Sequence, residues 1–131
     1  MQLSSLESNV VSALIAGDPD EAIFREQLAV AQVKSRERKG MALYVVFDIP
    51  EQVRRTQRGG EVAIRARTLG LKHPNLEAGG TMVLWLRDGR MTNLECYTID
   101  CNDWPSDEST FEIVPVEPPR VIYAKGLNDD A

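Results

Sequence analysis

The residues that could supply a nucleophile, a base or a metal ligand are few. The only histidine is His73, and the only cysteines are Cys96 and Cys101. Thiol catalysis needs a base within hydrogen-bond reach of the sulfur, and a lone histidine before Pro74 is typical of an exposed loop. A zinc site needs about four ligands, mostly cysteine and histidine side chains, and this chain contains three such residues. We therefore predict no catalytic residue, no metal site and no cofactor, and we expect both thiols to be unbridged.

One carboxylate near the middle of a predicted strand is the best candidate for a functional side chain. Glu95 shares a strand face with Asn93 and Tyr97. If that face is covered, the carboxylate must find a partner or change its pKa, as carboxylates in binding sites do. If the face is open, Glu95 belongs to a surface row. The candidate pocket consists of Glu95, Tyr97 and Asn93, together with Trp104 from the acidic loop that follows the strand.

Positive charge is concentrated in the middle of the chain. The net charge is −5, yet residues 34–72 contain ten basic and four acidic residues, a local charge of +6. Such a block is either a solvated surface or a face for an acidic partner. We expect the loop at residues 51–60 to be mobile and its arginines to be exposed without fixed acidic partners. The candidate basic face comprises Arg54, Arg55, Arg58, Arg65 and Arg67.

The N-terminal residues predict two short helices that must lie against the rest of the fold. Ser4 and Glu7 have the spacing of a capping box, and apolar residues recur at helical spacing up to Gly17, which ends the first helix. Asp18 and Pro19 are typical of the start of a second helix. The predicted fold class is α+β, with two N-terminal helices packed on a largely antiparallel sheet of about six strands.

The predicted sheet is organised around a hairpin at residues 81–99. Asp88-Gly89 is its tight turn, because a type I′ turn needs positive φ at both central residues. The first arm, residues 82–86, is apolar on both faces and should be covered on both. Residues 69–80, which include Gly79-Gly80, are predicted to form a loop. The other strands are predicted at residues 32–38, 41–49, 61–68, 111–117 and 120–124.

Length and composition favour one domain at residues 1–125, followed by a frayed tail at residues 126–131. No apolar run approaches the roughly 18 residues of a membrane span, and no basic residues precede the first apolar patch as in a signal peptide. Two cysteines are too few for a disulfide framework, so we expect a cytoplasmic protein. The acidic total and the absence of interleaved aromatic residues argue against nucleic acid as a partner.

Several motifs resemble those of small bacterial single-domain proteins. They are Phe24-Arg25-Glu26-Gln27-Leu28 at a helix end, the hairpin from Gly79-Gly80 through Asp88-Gly89-Arg90 to Leu94-Glu95-Cys96-Tyr97, and Asp103-Trp104-Pro105. That group has no established activity, so the resemblance concerns the fold and transfers no functional residue. Immunity proteins of bacterial toxin systems are similar only in size and α+β layout.

Two functional hypotheses follow. The first is a non-enzymatic cytoplasmic binding protein, monomeric or homodimeric, whose sheet or basic face engages another macromolecule, an acidic protein in the case of the basic face. The alternative is a small-ligand-binding or enzymatic domain with a pocket between the helices and a curled sheet. An enclosed polar pocket reached by Glu95, Tyr97 and Trp104 would favour the alternative, and a closed core would favour the first hypothesis.

Overall fold

Two helices precede seven antiparallel strands in the computed structural model, which describes residues 1–117. The strand order is β1-β2-β6-β5-β4-β7, and β3 pairs with the second half of β5. This confirms the predicted α+β class and its antiparallel sheet. The predicted strand at residues 120–124 and the predicted tail lie outside the described residues. The elements are α1 (Ser5–Ile15), α2 (Glu21–Val30), β1 (Gln32–Lys39), β2 (Ala42–Asp48), β3 (Glu61–Arg65), β4 (Leu69–His73), β5 (Leu76–Arg87), β6 (Arg90–Thr98) and β7 (Glu112–Pro115).

The capping box predicted for α1 is present. The Ser4 side chain accepts a hydrogen bond from the Glu7 backbone N–H (3.1 Å), and the Glu7 carboxylate accepts one from the Ser4 backbone N–H (2.8 Å). These bonds satisfy two N–H groups that the first helical turn leaves without partners. The Glu7 side chain is fully buried and forms an ion pair with Arg36 on β1 (2.6 Å). The same carboxylate therefore caps α1 and fixes it to the sheet.

Both helices pack on one face of the sheet. Every second side chain of the central strands points to this face. Leu43, Leu84 and Leu94 are completely buried there, in one core with Val10 and Phe24 of the helices. The opposite face, here called the outer face, is formed by β1, β2, β6, β5 and β3, and no helix of the described residues packs on it. Residues 82–86 therefore lie in mid-sheet as predicted, but only one of their two faces is covered by helices.

The hairpin of β5 and β6 turns at Asp88-Gly89, as predicted. Both residues have positive φ, 48° and 82°, which is what the tight turn requires. A Cβ on Gly89 would lie 2.3 Å from the Thr56 carbonyl oxygen. The turn is thus pressed against the loop between β2 and β3, and only glycine fits at this position.

The loop at residues 51–60 is attached to this turn, which contradicts the predicted mobility. The buried Gln27 side chain of α2 donates hydrogen bonds to the carbonyl oxygens of Arg54 (3.1 Å) and Gly89 (3.0 Å), and it accepts one from the Met91 N–H (3.0 Å). Thr56 N–H donates to the same Gly89 carbonyl (3.1 Å). One satisfied buried amide thus joins α2, the loop and the hairpin.

Residues 69–80 form β4 and the start of β5, so the prediction of a loop there was wrong. Gly79 has a φ of 72°, and a Cβ at this position would lie 2.3 Å from the Leu71 carbonyl oxygen. The glycine pair therefore permits a close approach between two strands, a role that glycine also has inside strands. A Cβ on Gly80 would lie 2.7 Å from the Tyr97 carbonyl oxygen on β6.

Candidate functional site

The outer face carries aromatic side chains around one carboxylate. In the strand register, Tyr44 of β2 lies opposite Glu95 of β6, and Glu95 lies opposite Val83 of β5. Val83 in turn lies opposite Arg65 of β3. Directly opposite residues of an antiparallel pair share a face, so these four side chains form one row across the outer face.

Two donors fix the orientation of the Glu95 carboxylate. The indole Nε1 of Trp85 donates a hydrogen bond to Glu95 Oε1 (3.0 Å), and the Tyr97 hydroxyl donates to the same oxygen. The ring of Tyr44 meets the ring of Tyr97 edge to face, with centroids 6.1 Å apart. The guanidinium of Arg65 lies 5.8 Å above the centre of the Trp85 ring, within the range of cation–π attraction.

The Tyr97 hydroxyl is a hydrogen-bond donor at neutral pH. Burial raises the pKa of the Tyr97 phenol above its ordinary value, and the hydrogen bond to the Glu95 carboxylate raises it further. Both effects disfavour the phenolate, because it would be poorly solvated and would face a like charge. The Tyr97 hydroxyl and the Trp85 N–H therefore hold the Glu95 carboxylate in one fixed orientation.

The structure brings together three of the four residues of the predicted pocket. Glu95 and Tyr97 are in direct contact, and Asn93 lies on the same strand opposite Trp85. Trp104 belongs to the helix-side core, where it is 8% exposed and stacks on Phe111 with centroids 4.8 Å apart. Trp85 and Tyr44 complete the cluster and were missed, because only the pairing of β2, β6 and β5 places them beside Glu95.

Trp104 contacts a second carboxylate on the helix side. Its Nε1 donates to Glu108 Oε2 (2.7 Å), and Arg38 donates to both oxygens of Glu108 (2.8 Å each). Burial by itself raises the pKa of Glu108, but the hydrogen bonds from Arg38 and Trp104 outweigh it and the net shift is downward. Charge-assisted bidentate contacts of this kind are among the stronger hydrogen bonds in proteins.

The predicted basic face is divided between different parts of the surface. Arg54 forms an ion pair with Glu26, and Arg58 forms ion pairs with Asp18 and Asp20, so the expectation that these arginines lack fixed acidic partners was wrong. The Arg58 guanidinium also lies 5.3 Å from the centre of the Phe24 ring, on the helix side. By contrast, Arg65 lies on the outer face. Exposed side chains are found at Arg55 and Arg67.

Four arginines line an open cleft of about 840 Å³ between the loop at residues 51–60 and the hairpin turn. We call it the arginine cleft, and its basic residues are Arg54, Arg55, Arg87 and Arg90. Acidic side chains of Asp48, Glu51 and Asp88 line it as well. Arg90 donates to the Glu51 carbonyl oxygen, and its Nε is buried without a hydrogen-bond partner among the described residues.

A smaller cleft of about 500 Å³ lies beside the start of α1. Its floor is apolar, with Leu6, Phe111 and Ile113, and Glu108 lies at its edge. Glu95 lines neither this cleft nor the arginine cleft. The cleft next to the helices is thus built from other residues than those predicted for a ligand pocket.

His73 is buried in β4, contrary to the expected exposed loop position. Its Nδ1 accepts a hydrogen bond from the Asn75 N–H (3.0 Å), so Nε2 carries the proton and donates to the Asp107 carbonyl oxygen (2.8 Å). The ring also packs on Phe111, with centroids 4.6 Å apart. His73 therefore has a structural role in joining β4 to the acidic loop.

Cys96 is buried in β6 and Cys101 is exposed, and both are free thiols. Burial strongly raises the pKa of the Cys96 thiol, which disfavours the reactive thiolate. Within residues 1–117, no group of three or more His, Cys, Asp or Glu side chains is arranged to hold a metal ion. None of the helices in that range is long and apolar enough to cross a membrane.

Comparison of the chain with protein-family models, with curated proteins and with solved structures finds no match.

Proposed function

We propose that this protein is a non-enzymatic binding protein that engages a partner protein through the outer face. The observation that carries the proposal is that no helix of residues 1–117 packs on this face, although it carries apolar and aromatic side chains. A sheet with one face in water usually alternates apolar and polar residues, whereas residues 82–86 are apolar throughout. Val83 is 6% exposed, whereas Tyr44 and Val46 on β2, on the other side of β6, are 36% and 38% exposed. Large apolar side chains exposed together on one face are typical of interaction surfaces.

The types of residue on the outer face support the same proposal. Tyr, Trp and Arg are enriched at the centres of protein interfaces, where a few of them carry most of the binding energy. Tyr97, Trp85 and Arg65 lie together here, and their mutual contacts already hold them in place. Side chains fixed before binding lose less conformational entropy on association.

A site-specific photo-crosslinker tests this proposal. Benzoylphenylalanine in place of Val46 lies on the outer face, and the same residue in place of Val30, which is 43% exposed at the end of α2, is the matched control. We expect the variant at position 46 to be linked to one defined protein in cells of the source organism, and the variant at position 30 not to be. Equal products from both positions, or none from position 46, would contradict the proposal.

The arginine cleft supports a second candidate function, the binding of an acidic protein segment. Its specific observation is the buried Arg90 Nε without a partner among the described residues, next to a loop that Gln27 already fixes. The three acidic residues in the cleft weaken its attraction for anions, which makes this the second candidate.

We further propose a cytoplasmic location, supported by the free thiols.

A labelled hexaglutamate peptide tests the second candidate by fluorescence anisotropy at low salt. The double variant Arg55→Gln/Arg87→Gln should weaken binding several-fold, because both side chains are exposed in the cleft. Arg67→Gln removes one charge from a position outside the cleft and is the control. Equal affinities for the double variant and the control would exclude the cleft as the binding site.

A further inference from the structure

Residues 1–117 contain two tryptophan–glutamate pairs, and within that range only one of the two carboxylates forms an ion pair. At Glu108, the Trp104 N–H and the Arg38 guanidinium together occupy both carboxylate oxygens. At Glu95, the Trp85 N–H and the Tyr97 hydroxyl both donate to Oε1. No ion pair joins Glu95 to a basic side chain of residues 1–117, and none of the hydrogen bonds among them reaches its Oε2.

The surroundings of Glu95 suit a positive charge. Its carboxylate is half-buried and is flanked by the rings of Tyr97 and Tyr44, which meet at 84°. The faces of aromatic rings attract ammonium and guanidinium groups, and this attraction grows as water is excluded. Arg65 already uses this kind of contact against Trp85 on the same face.

We propose that Glu95 binds a lysine or arginine side chain of the partner protein, which would lie between the rings of Tyr44 and Tyr97. We call this binding site the seat. The proposal rests on the proposed function, since it names the chemistry by which the outer face recognises its partner. The partner's cation would take the place at Glu95 that Arg38 takes at Glu108. A nucleic acid would bring phosphate groups to this carboxylate, and like charges repel.

The indole N–H resonances of Trp85 and Trp104 provide the test, because each N–H donates to one of the two carboxylates. The probe is a blocked Gly-Lys-Gly peptide at low ionic strength, and the same peptide with norleucine in place of lysine is its uncharged counterpart. We expect a saturable shift of the Trp85 N–H with the lysine peptide only, and no shift of the Trp104 N–H.

The variant Glu95→Gln keeps the shape of the side chain and one oxygen acceptor while it removes the charge. It should weaken binding of the lysine peptide by about tenfold or more, as expected for the loss of a charge-assisted hydrogen bond. Glu112→Gln, at an exposed position of β7, is the matched control. Equal shifts with the norleucine peptide, or unchanged affinity in Glu95→Gln, would overturn the proposal.

Two further variants exclude cations supplied by this chain itself. Arg65→Gln should raise the affinity for the lysine peptide, because it removes a like charge from the same face, and loss of binding would mean that Arg65 carries the effect. A chain that ends at Glu117 should bind the probe as tightly as the full chain. A marked gain in affinity on this truncation would mean that residues 118–131 occupy the seat, and the partner would be excluded as its occupant.

Crosslinking from position 46 in the Glu95→Gln background separates this proposal from the proposed function. Loss or strong weakening of the crosslink would support the seat. A crosslink that persists at full strength would refute the seat and leave the outer face as the binding surface. The lysine peptide could bind to wild type while the crosslinker at position 46 captures no protein. This result would refute the proposed function, and it would also refute the proposal that a partner protein occupies the seat. Self-association that Glu95→Gln abolishes would assign the seat to a second copy of the chain.

Discussion

The carboxylates on the two faces of the sheet have different kinds of partner. On the helix side, the carboxylates of Glu7 and Glu108 are paired with Arg36 and Arg38. On the outer face, the donors to Glu95 among residues 1–117 are the neutral Trp85 and Tyr97 side chains. Breaking a buried ion pair leaves an uncompensated charge and is strongly destabilising, whereas a half-exposed carboxylate can keep contact with water. The ion pairs stabilise the helix side, and the carboxylate held by neutral donors is consistent with our proposal that the outer face binds a partner.

The largest expected contrast is between the two tryptophans. Trp104→Ala should reduce the free energy of unfolding by about 3–5 kcal/mol, because it removes a buried ring from the core. Trp85→Ala should cost about 1–2 kcal/mol, since its ring is half-buried and its hydrogen bond goes to a carboxylate that water can reach. Urea denaturation of both variants measures the contrast. Equal losses would mean that the outer face is part of the stabilising core.

The next contrast is between two glycines of the attached loop and turn. Gly89→Ala should cost about 2–4 kcal/mol, because the new Cβ would meet Thr56 backbone atoms at 2.3 to 2.9 Å and would force positive φ on alanine. Gly59→Ala meets no atom within 4 Å and should change stability by less than about 0.5 kcal/mol. Similar melting temperatures for the two variants would argue against the close contact of turn and loop.

A smaller effect separates the two glutamates. Glu108→Gln should cost about 1–2 kcal/mol at neutral pH, since Arg38 loses a charged partner, whereas Glu95→Gln should cost under about 0.5 kcal/mol. Because the pKa of Glu108 is lowered in the folded state, its contribution is complete above the ordinary value of 4.5 and is lost as pH falls through the lowered value. Denaturation curves of wild type and Glu108→Gln should therefore converge in acid.

The smallest expected effect is on the titration of one phenol. The pKa of Tyr97 lies above its ordinary value, through burial first and the Glu95 carboxylate second. Glu95→Gln should lower this pKa toward the ordinary value without restoring it, because the burial contribution persists. Ultraviolet difference titration with Tyr97→Phe as the reference isolates the signal. A Tyr97 pKa that is the same in wild type and Glu95→Gln would show that the carboxylate does not face the phenol.

Local sequence signals were sufficient for the helices and the central hairpin. The capping box at Ser4 and Glu7 and the turn at Asp88-Gly89 depend on a few neighbouring residues, so their chemistry can be read from the sequence. Gly79-Gly80 was misread because the same residue type serves loops and close strand contacts. Only the position of the Leu71 carbonyl distinguishes the two cases.

The candidate site was predicted only in part, because its members meet across strands. Glu95, Asn93 and Tyr97 share β6, so the alternation of one strand was enough to group them. Tyr44 and Trp85 join them through pairing between β2, β6 and β5, which the sequence did not specify. The loop arginines were expected to be unpaired for a similar reason. Their acidic partners lie 28 or more residues away in the chain.

The Gln27 side chain has a consequence for the order of folding. Its three hydrogen bonds reach partners 27, 62 and 64 residues away in sequence. Two of these partners, Gly89 and Met91, are in position only after the hairpin has formed its turn. We therefore expect α2 to dock after β5 and β6 have paired, since contacts between distant residues form slowly. Gln27→Leu should then speed unfolding and leave the refolding rate nearly unchanged in stopped-flow measurements. A slower refolding rate would place this amide in the folding nucleus.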